Sequence, residues 1–114
     1  MPGCVLRVKA IESPLPSELV TSTTKNGFLY QVGTADGDDF KRQTADAEAF
    51  LAQHSAALVA GAKTADFSAE LDFGVWNGAP NVFAQSFTFL PSLAAMASAC
   101  GIALTVSIYL ASDP

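Results

Sequence analysis

Four segments of the chain carry the residue patterns of β-strands. Apolar and polar residues alternate in residues 4–11, 68–76 and 103–110, so each segment would bury one side against a core. Residues 82–89 are rich in aromatic and β-branched types, which predicts a further strand. The intervening residues 77–81 contain Gly and Pro in a combination typical of tight turns. We therefore expect 68–76 and 82–89 to form a hairpin.

Two other segments repeat apolar residues at steps of three and four, the period of an amphipathic helix. The first is predicted to begin after an N-cap at Thr44 and to end near Gly61. The second is predicted to begin at Pro91 and to end before Gly101. The first turn of a helix does not use the backbone N–H that proline lacks, so proline is favourable there. Glycine readily adopts the left-handed backbone conformation that often follows the last turn.

The order of these elements, β-(insertion)-α-β-β-α-β, predicts an α+β fold of the ferredoxin-like type, a split βαβ two-layer sandwich. Right-handed crossovers would make the strands that flank each helix parallel and place both helices on one face. Residues 1–114 are expected to form a single domain. Residues 13–43 are expected to be an irregular insertion, with a helical turn at 16–20 and an extra strand at 28–32.

Composition narrows the classes of function. The chain is 50% hydrophobic, has a net charge of −5 and has no Lys/Arg cluster, which argues against nucleic-acid binding. No apolar run is long enough for a membrane span, and residues 1–7 lack the regions of a signal peptide, so we expect a cytoplasmic protein without membrane association. Cys4 and Cys100 are expected to be small buried side chains.

Catalytic and metal-binding motifs are not recognisable in the sequence. His54 is the only histidine and lies on an apolar helix face, which favours packing over general-base catalysis. The turn containing Asp36, Asp38 and Asp39 lacks the ligand spacing of a calcium loop and is predicted to be a solvated acidic turn. We therefore predict no catalytic residue, metal or cofactor, and a non-catalytic function is favoured although enzymatic activity stays open.

One face of the predicted sheet carries polar and aromatic side chains. Glu70 and Asp72 lie two residues apart on one strand, so their carboxylates share a face and could share a proton. Cross-strand pairing with Arg7 and Lys9 on another strand is the favoured interpretation. Together with these four residues, the face is predicted to carry Trp76, Thr105, Ser107 and Tyr109.

The carboxyl half contains three stretches that carry a resemblance: residues 71–73, the aromatic strand 83–89 with Leu90–Leu93 directly after it, and residues 101–109. In these stretches the chain resembles a family of uncharacterised bacterial domains of unknown function associated with immunity-like proteins. The resemblance implies a binding protein rather than an enzyme and supplies no catalytic residues.

The sequence leads to three hypotheses of function. The first is a cytoplasmic domain that binds another protein, which an acidic surface would favour if that protein is basic. The second is a small-molecule binder or small enzyme with a pocket between the sheet and residues 13–43, in which Glu70 and Asp72 supply the polar groups. The third is a structural domain that forms a homodimer. The predicted partner-binding residues are Asp36, Asp38, Asp39, Glu70, Asp72, Trp76 and Tyr109.

Overall fold

The computed structural model describes residues 3–64, 66–76 and 86–109. They form an α+β structure with a five-stranded mixed sheet and two helices. The strands are β1 (Cys4–Lys9), β2 (Val20–Thr24), β3 (Gly27–Gln31), β4 (Ser68–Trp76) and β5 (Ile102–Tyr109). The helices are α1 (Phe40–Ala62) and α2 (Pro91–Ala99), and a short 3₁₀ turn spans Ser17–Leu19.

The strands lie in the order β2-β3-β1-β4-β5. β1 is antiparallel to both of its neighbours, β3 and β4, whereas β4 and β5 are parallel and are connected through α2. β3 and β4 therefore run in the same direction on either side of β1, and α1 connects them. A parallel connection needs such a long crossover, and a helix usually supplies it.

The α+β class is confirmed, but the expected ferredoxin-like order is not. The prediction that the first strand runs parallel to residues 68–76 is wrong, because β1 pairs with β4 in antiparallel orientation. The chain reverses through β2 and β3 after β1, so that β3 leads into α1. Of the strand predicted at 82–89, residues 86–89 are in no strand, while 82–85 and the predicted turn at 77–81 lie outside the described residues.

The segment 13–43 is more regular than the sequence indicated. The predicted helical turn appears as Ser17–Leu19, and the extra strand predicted at 28–32 appears as β3. The sequence analysis missed β2, whose Thr and Ser residues are mostly exposed. β-branched threonines suit a strand, but without an apolar alternation they gave no strand signal. This segment therefore extends the sheet by a hairpin.

The start of α1 also differs from the prediction. The N-cap is Asp39 rather than Thr44, and the Asp39 carboxylate accepts a hydrogen bond from the backbone N–H of Arg42 at 3.1 Å. Thr44 lies inside the helix, where its hydroxyl donates to the Lys41 carbonyl at 2.8 Å. The predicted limits of the second helix are confirmed, because α2 begins at Pro91 and Gly101 has a φ of +69°.

A single apolar core lies between the sheet and the two helices. Both helices contribute buried side chains to the same cluster, so both cover the same face of the sheet. In residues 3–64, 66–76 and 86–109, no helix covers the other face. None of the described helices is long and apolar enough to cross a membrane. Fully buried side chains of the core include Leu6, Tyr30, Leu51, Leu58, Leu71, Phe73 and Leu93.

Candidate functional site

The uncovered side of the sheet, which we call the open face, carries a row of polar side chains from three neighbouring strands. The strand register places Arg7 on β1 directly opposite Glu70 on β4, and Asp72 beside Thr105 on β5. Because side chains alternate across a strand, these residues point away from the core that Leu6 and Leu71 occupy. The open face comprises Arg7, Lys9, Glu70, Asp72, Trp76, Thr105, Ser107 and Tyr109.

Five of these side chains form one network of hydrogen bonds and ion pairs. Arg7 donates to the Asp72 carboxylate, and its Nη1 lies 3.6 Å from Oε1 of Glu70. The hydroxyl of Thr105 donates to Glu70 at 2.8 Å, and that of Ser107 donates to Asp72 at 2.6 Å. Each carboxylate is therefore held by the guanidinium on one side and by a hydroxyl on the other.

Asp72 is the buried centre of this network, with only 4% of its surface exposed. A buried carboxylate is costly unless it is paired and hydrogen-bonded, and Arg7 and Ser107 meet both conditions. The hydrogen bond to Asp72 is the main reason that the pKa of Arg7 is raised, although partial burial opposes it. The predicted cross-strand pairing is thus confirmed for Arg7, whereas Lys9 lies opposite Ser68.

Two aromatic side chains lie at one end of the open face. Trp76 and Tyr109 are register partners at the ends of β4 and β5; Trp76 is half-buried and Tyr109 is exposed. The backbone N–H of Trp76 donates to the Gly37 carbonyl at 3.0 Å. This bond holds the acidic loop, defined here as residues 36–39, beside the end of β4 that carries Trp76.

The backbone of the acidic loop is fixed by Gln43, which the sequence analysis missed. Its amide Nε2 donates to the carbonyls of Asp36 and Gly74, both at 2.8 Å, and the side chain is fully buried. In the described part of the chain, its Oε1 has no hydrogen-bond partner. A sequence signal existed, because Gln43 occupies the helix face of Ala47 and Phe50, where an apolar residue is expected.

The three acidic side chains of the loop remain exposed. The Asp36 carboxylate accepts from the Gly37 N–H at 2.6 Å, and Asp39 caps α1. Neither these two carboxylates nor that of Asp38 forms an ion pair with a Lys or Arg among the described residues. The loop therefore has a backbone held by hydrogen bonds and presents three exposed carboxylates that form no ion pair in the described part of the chain.

The structure thus divides the seven predicted site residues into two adjoining groups. The acidic loop, Trp76 and Tyr109 lie at one end of the sheet, and Glu70 and Asp72 extend from that end along the open face. Sequence reasoning placed the open-face residues correctly on one side of the sheet, but it gave no reason to put the loop beside Trp76.

A depression of about 540 Å³ lies toward the opposite end of the open face. It is lined by residues of the β2–β3 hairpin, which belongs to residues 13–43, and by residues of β1, β4 and β5. Asp72 does not contribute to the lining. The side chains that line it include Arg7, Lys9, Thr24, Leu29, Ser68 and Glu70.

The other candidate residues of the sequence lie away from the open face. His54 is half-buried and packs against Phe50, with ring centroids 4.7 Å apart. Cys4 and Cys100 are both buried and free, and burial raises the pKa of Cys4 from 9.0 to about 12, so its thiol stays protonated at neutral pH. Among the residues that the structure describes, no three His, Cys, Asp or Glu side chains are grouped to hold a metal ion.

No family model matches the chain, and no curated protein or solved structure shows significant similarity to it. The resemblance of the carboxyl half to immunity-like domains therefore stays a prediction. The function has to be inferred from the geometry of the open face and the acidic loop.

Proposed function

We propose that this is a non-catalytic cytoplasmic domain that binds a basic protein through the open face and the acidic loop. The observation that carries the proposal is the attachment of the acidic loop to the aromatic end of the open face, through the hydrogen bond from the Trp76 N–H to the Gly37 carbonyl. It places the exposed carboxylates of the loop next to the end of β4 that carries Trp76, so we expect one partner to contact both the loop and the open face.

We infer that the partner is positively charged from the exposed carboxylates of the loop. The chain has a net charge of −5, and the loop carboxylates have no cationic partner among the described residues. Exposed charge of one sign attracts oppositely charged proteins over long distances and raises the association rate. Trp76 lies beside the loop and Tyr109 lies next to Trp76 on β5, and aromatic rings attract Lys and Arg side chains through cation–π interactions.

The order of the open face supports a protein partner. Five of its side chains are held by the ion pairs of Arg7 and by hydroxyl hydrogen bonds, so binding would immobilise few additional rotamers among them. Exposed aromatic residues such as Tyr109 commonly supply the buried anchors of protein interfaces. Binding of this kind could neutralise a toxic protein or regulate an enzyme by covering its surface, as the resemblance to immunity-like domains implies.

The test begins with capture of interacting proteins from cells that express the chain, followed by kinetics with the purified partner. The loop variant Asp36→Asn/Asp38→Asn removes two charges, and Asn at position 36 retains the oxygen that accepts from Gly37. The matched control Glu12→Gln/Asp66→Asn removes two exposed charges near the other end of β4. The loop variant should slow association several-fold and flatten its salt dependence, whereas the control should not.

A third variant distinguishes effects on the association rate from effects on the dissociation rate. Tyr109→Ala should leave the association rate nearly unchanged and speed dissociation, by a factor corresponding to about 2 kcal/mol if the ring is a buried anchor. A partner whose binding kinetics are unaffected by both the loop variant and Tyr109→Ala would contradict the proposed surface. If the loop variant and its control slow association equally, the loop acts only through the net charge of the protein.

The depression beside the β2–β3 hairpin supports a second candidate function, the binding of a small molecule. Its volume of about 540 Å³ lies within the range of ligand sites, and Arg7, Lys9 and Glu70 supply charged groups beside the apolar Leu29. A fragment screen followed by amide NMR would test it. Specific shifts at Lys9, Leu29 and Glu70 would favour this candidate, and their absence across the screen would count against it.

A further inference from the structure

β5 lies at one edge of the sheet in the described part of the chain, and its composition is unusual for an edge strand. Its eight residues, Ile102–Tyr109, include no charged residue and no proline. Its pairing with β4 is regular over the whole length, from Ala69 opposite Ile102 to Trp76 opposite Tyr109. Natural proteins usually protect such edges with charges, proline, bulges or short strands, because the unpaired backbone groups invite another strand.

The opposite edge of the same sheet shows this protection. β2 has only five residues, and its register with β3 shifts between Val20 and Ser22. At that irregularity the Thr21 hydroxyl accepts the hydrogen bond of the Gln31 N–H at 3.0 Å. Irregularities of this kind interrupt the ladder and discourage edge-to-edge pairing. Of the two edges in the described sheet, β5 is therefore the one suited to accept another strand.

We propose that two copies of the chain associate by antiparallel pairing of β5 with β5 of the partner copy, so that the two sheets become one continuous ten-stranded sheet. In the register centred on Val106, each strand's Ile108 lies opposite Leu104 of the other copy, and each Tyr109 lies opposite Ala103. This register keeps the helices of both copies on one side and joins the two open faces on the other side.

The exposed residues of β5 support a second copy as the occupant. Ile108 is 57% exposed and Tyr109 is 43% exposed, although both lie in a regular strand. Antiparallel pairing places these large side chains, at the end of the strand, against the partly buried Leu104 and the small Ala103 near its start. Cross-strand apolar and aromatic pairs stabilise sheets, so the strand is complementary to itself.

Charge also favours this site of self-association. Each copy has a net charge of −5, so two copies repel each other wherever acidic groups would meet. Ile102–Tyr109 includes no charged residue, so pairing along this strand places no like charges opposite each other. Added salt should therefore strengthen the dimer by screening the remaining repulsion, which is opposite to its expected effect on a basic partner.

Sedimentation equilibrium of the purified chain tests the proposal directly. A single-strand interface is small, so we expect a dimer of twice the 11.8 kDa monomer mass with a dissociation constant on the order of 10 µM. The dissociation constant should fall when NaCl is raised from about 0.05 M to about 0.5 M. A chain that remains a monomer at about 200 µM in both salts would overturn the proposal.

A pair of exposed isoleucines supplies the matched variants. Ile108→Lys places a charge in the paired edge once per copy and should weaken the dimer at least about tenfold. Ile11→Lys makes the same change at a residue that is 87% exposed outside β5, and it should leave the dissociation constant unchanged. Circular dichroism shows whether both variants fold. Equal dimerisation of the two variants would refute β5 as the interface.

Disulfide trapping tests the register of the two β5 strands without introducing a charged residue. Val106→Cys places two cysteines opposite each other on the dimer axis, within reach of a disulfide across an antiparallel pair. The native Cys4 and Cys100 are buried and should not compete. Mild oxidation should yield a covalent dimer for Val106→Cys and not for the control Ile11→Cys. Equal cross-linking of the two variants would contradict the proposed register.

Dimerisation and partner binding can fail independently. The dimer needs no partner protein and strengthens with salt, whereas association with a basic protein slows with salt. The Asp36→Asn/Asp38→Asn variant should retain the dimer because the acidic loop is not part of β5. A monomeric chain would thus overturn the pairing while leaving the proposed protein-binding function to its own test.

Discussion

The Arg7–Asp72 pair allows a quantitative test of the network on the open face. We consider a double-mutant cycle with Arg7→Met, Asp72→Asn and the combined variant. Methionine retains much of the apolar stem of arginine, and asparagine retains an oxygen for the hydroxyl of Ser107. The cycle therefore isolates the interaction between the guanidinium and the carboxylate, provided that neither substitution introduces a new contact.

The expected magnitude follows from the exposure of the two side chains. Double-mutant cycles give coupling free energies of up to about 7 kcal/mol for close, desolvated charge pairs, whereas an exposed pair contributes about 0–1 kcal/mol. The Asp72 side chain is only 6% exposed, but that of Arg7 is 47% exposed. Because solvent screens the arginine, we expect a coupling free energy of about 1.5–2 kcal/mol, between the two limits.

Glu70 provides the internal control. Its Oε1 lies 3.6 Å from Arg7 Nη1, and its side chain is 39% exposed, so the Arg7–Glu70 coupling should be about 0.5 kcal/mol or less. Urea denaturation followed by circular dichroism gives the free energy of unfolding of each variant. Higher salt should reduce the Arg7–Glu70 coupling more than the Arg7–Asp72 coupling. Equal couplings, or a larger one for Glu70, would refute the assignment of Asp72 as the buried centre.

Three further predictions concern the core and the loop. Gln43→Ala should destabilise the fold by about 2–3 kcal/mol in urea denaturation, because the carbonyls of Asp36 and Gly74 lose their donor. Gly27→Ala should destabilise strongly because a Cβ would overlap the Val8 carbonyl oxygen, whereas Gly3→Ala should be tolerated. The pKa of Cys4 is raised by burial, so the folded state favours the protonated thiol. The contribution of this thiol to the free energy of unfolding is complete below pH 9.0 and should be lost as the pH rises toward 12. Cys4→Ala should therefore flatten the decline of stability at alkaline pH.

Each of these predictions has an outcome that would contradict it. A Gln43→Ala variant as stable as the wild type would mean that other contacts fix the acidic loop. Equal stability of Gly27→Ala and Gly3→Ala would disprove the close approach of β3 to β1. An alkaline decline of the same slope with and without Cys4 would assign the pH dependence to other groups, such as Tyr30, whose pKa burial also raises.

The parts of the fold that the sequence predicted are those with local signals. Alternation located β1, β4 and β5, and the pair of Pro91 and Gly101 located the limits of α2, because these features depend only on neighbouring residues. β2 has no such signal, since its exposed Ser and Thr residues bury almost nothing. Strand order was also inaccessible, because it depends on which strands meet in space after the β2–β3 hairpin reverses the chain.

Local sequence patterns likewise predicted only part of the candidate site. Period-two alternation placed Glu70, Asp72 and Tyr109 on one face, and the structure joins the two carboxylates in the same network. The position of the acidic loop could not be predicted, because it depends on the long-range bond between Gly37 and Trp76 and on the burial of Gln43. These contacts connect residues more than thirty positions apart, and no local pattern encodes them.

The arrangement of charge assigns different roles in binding to the two parts of the proposed surface. On the open face, the positive charges of Arg7 and Lys9 offset the negative charges of Glu70 and Asp72, so this face exerts little long-range attraction. The acidic loop carries three exposed carboxylates without an ion-pair partner among the described residues, and we expect it to raise the rate of encounter. In the proposed complex, we expect affinity to come mainly from the aromatic end of the face, where burial of Tyr109 would slow dissociation. If so, high salt should slow association and leave the dissociation rate nearly constant.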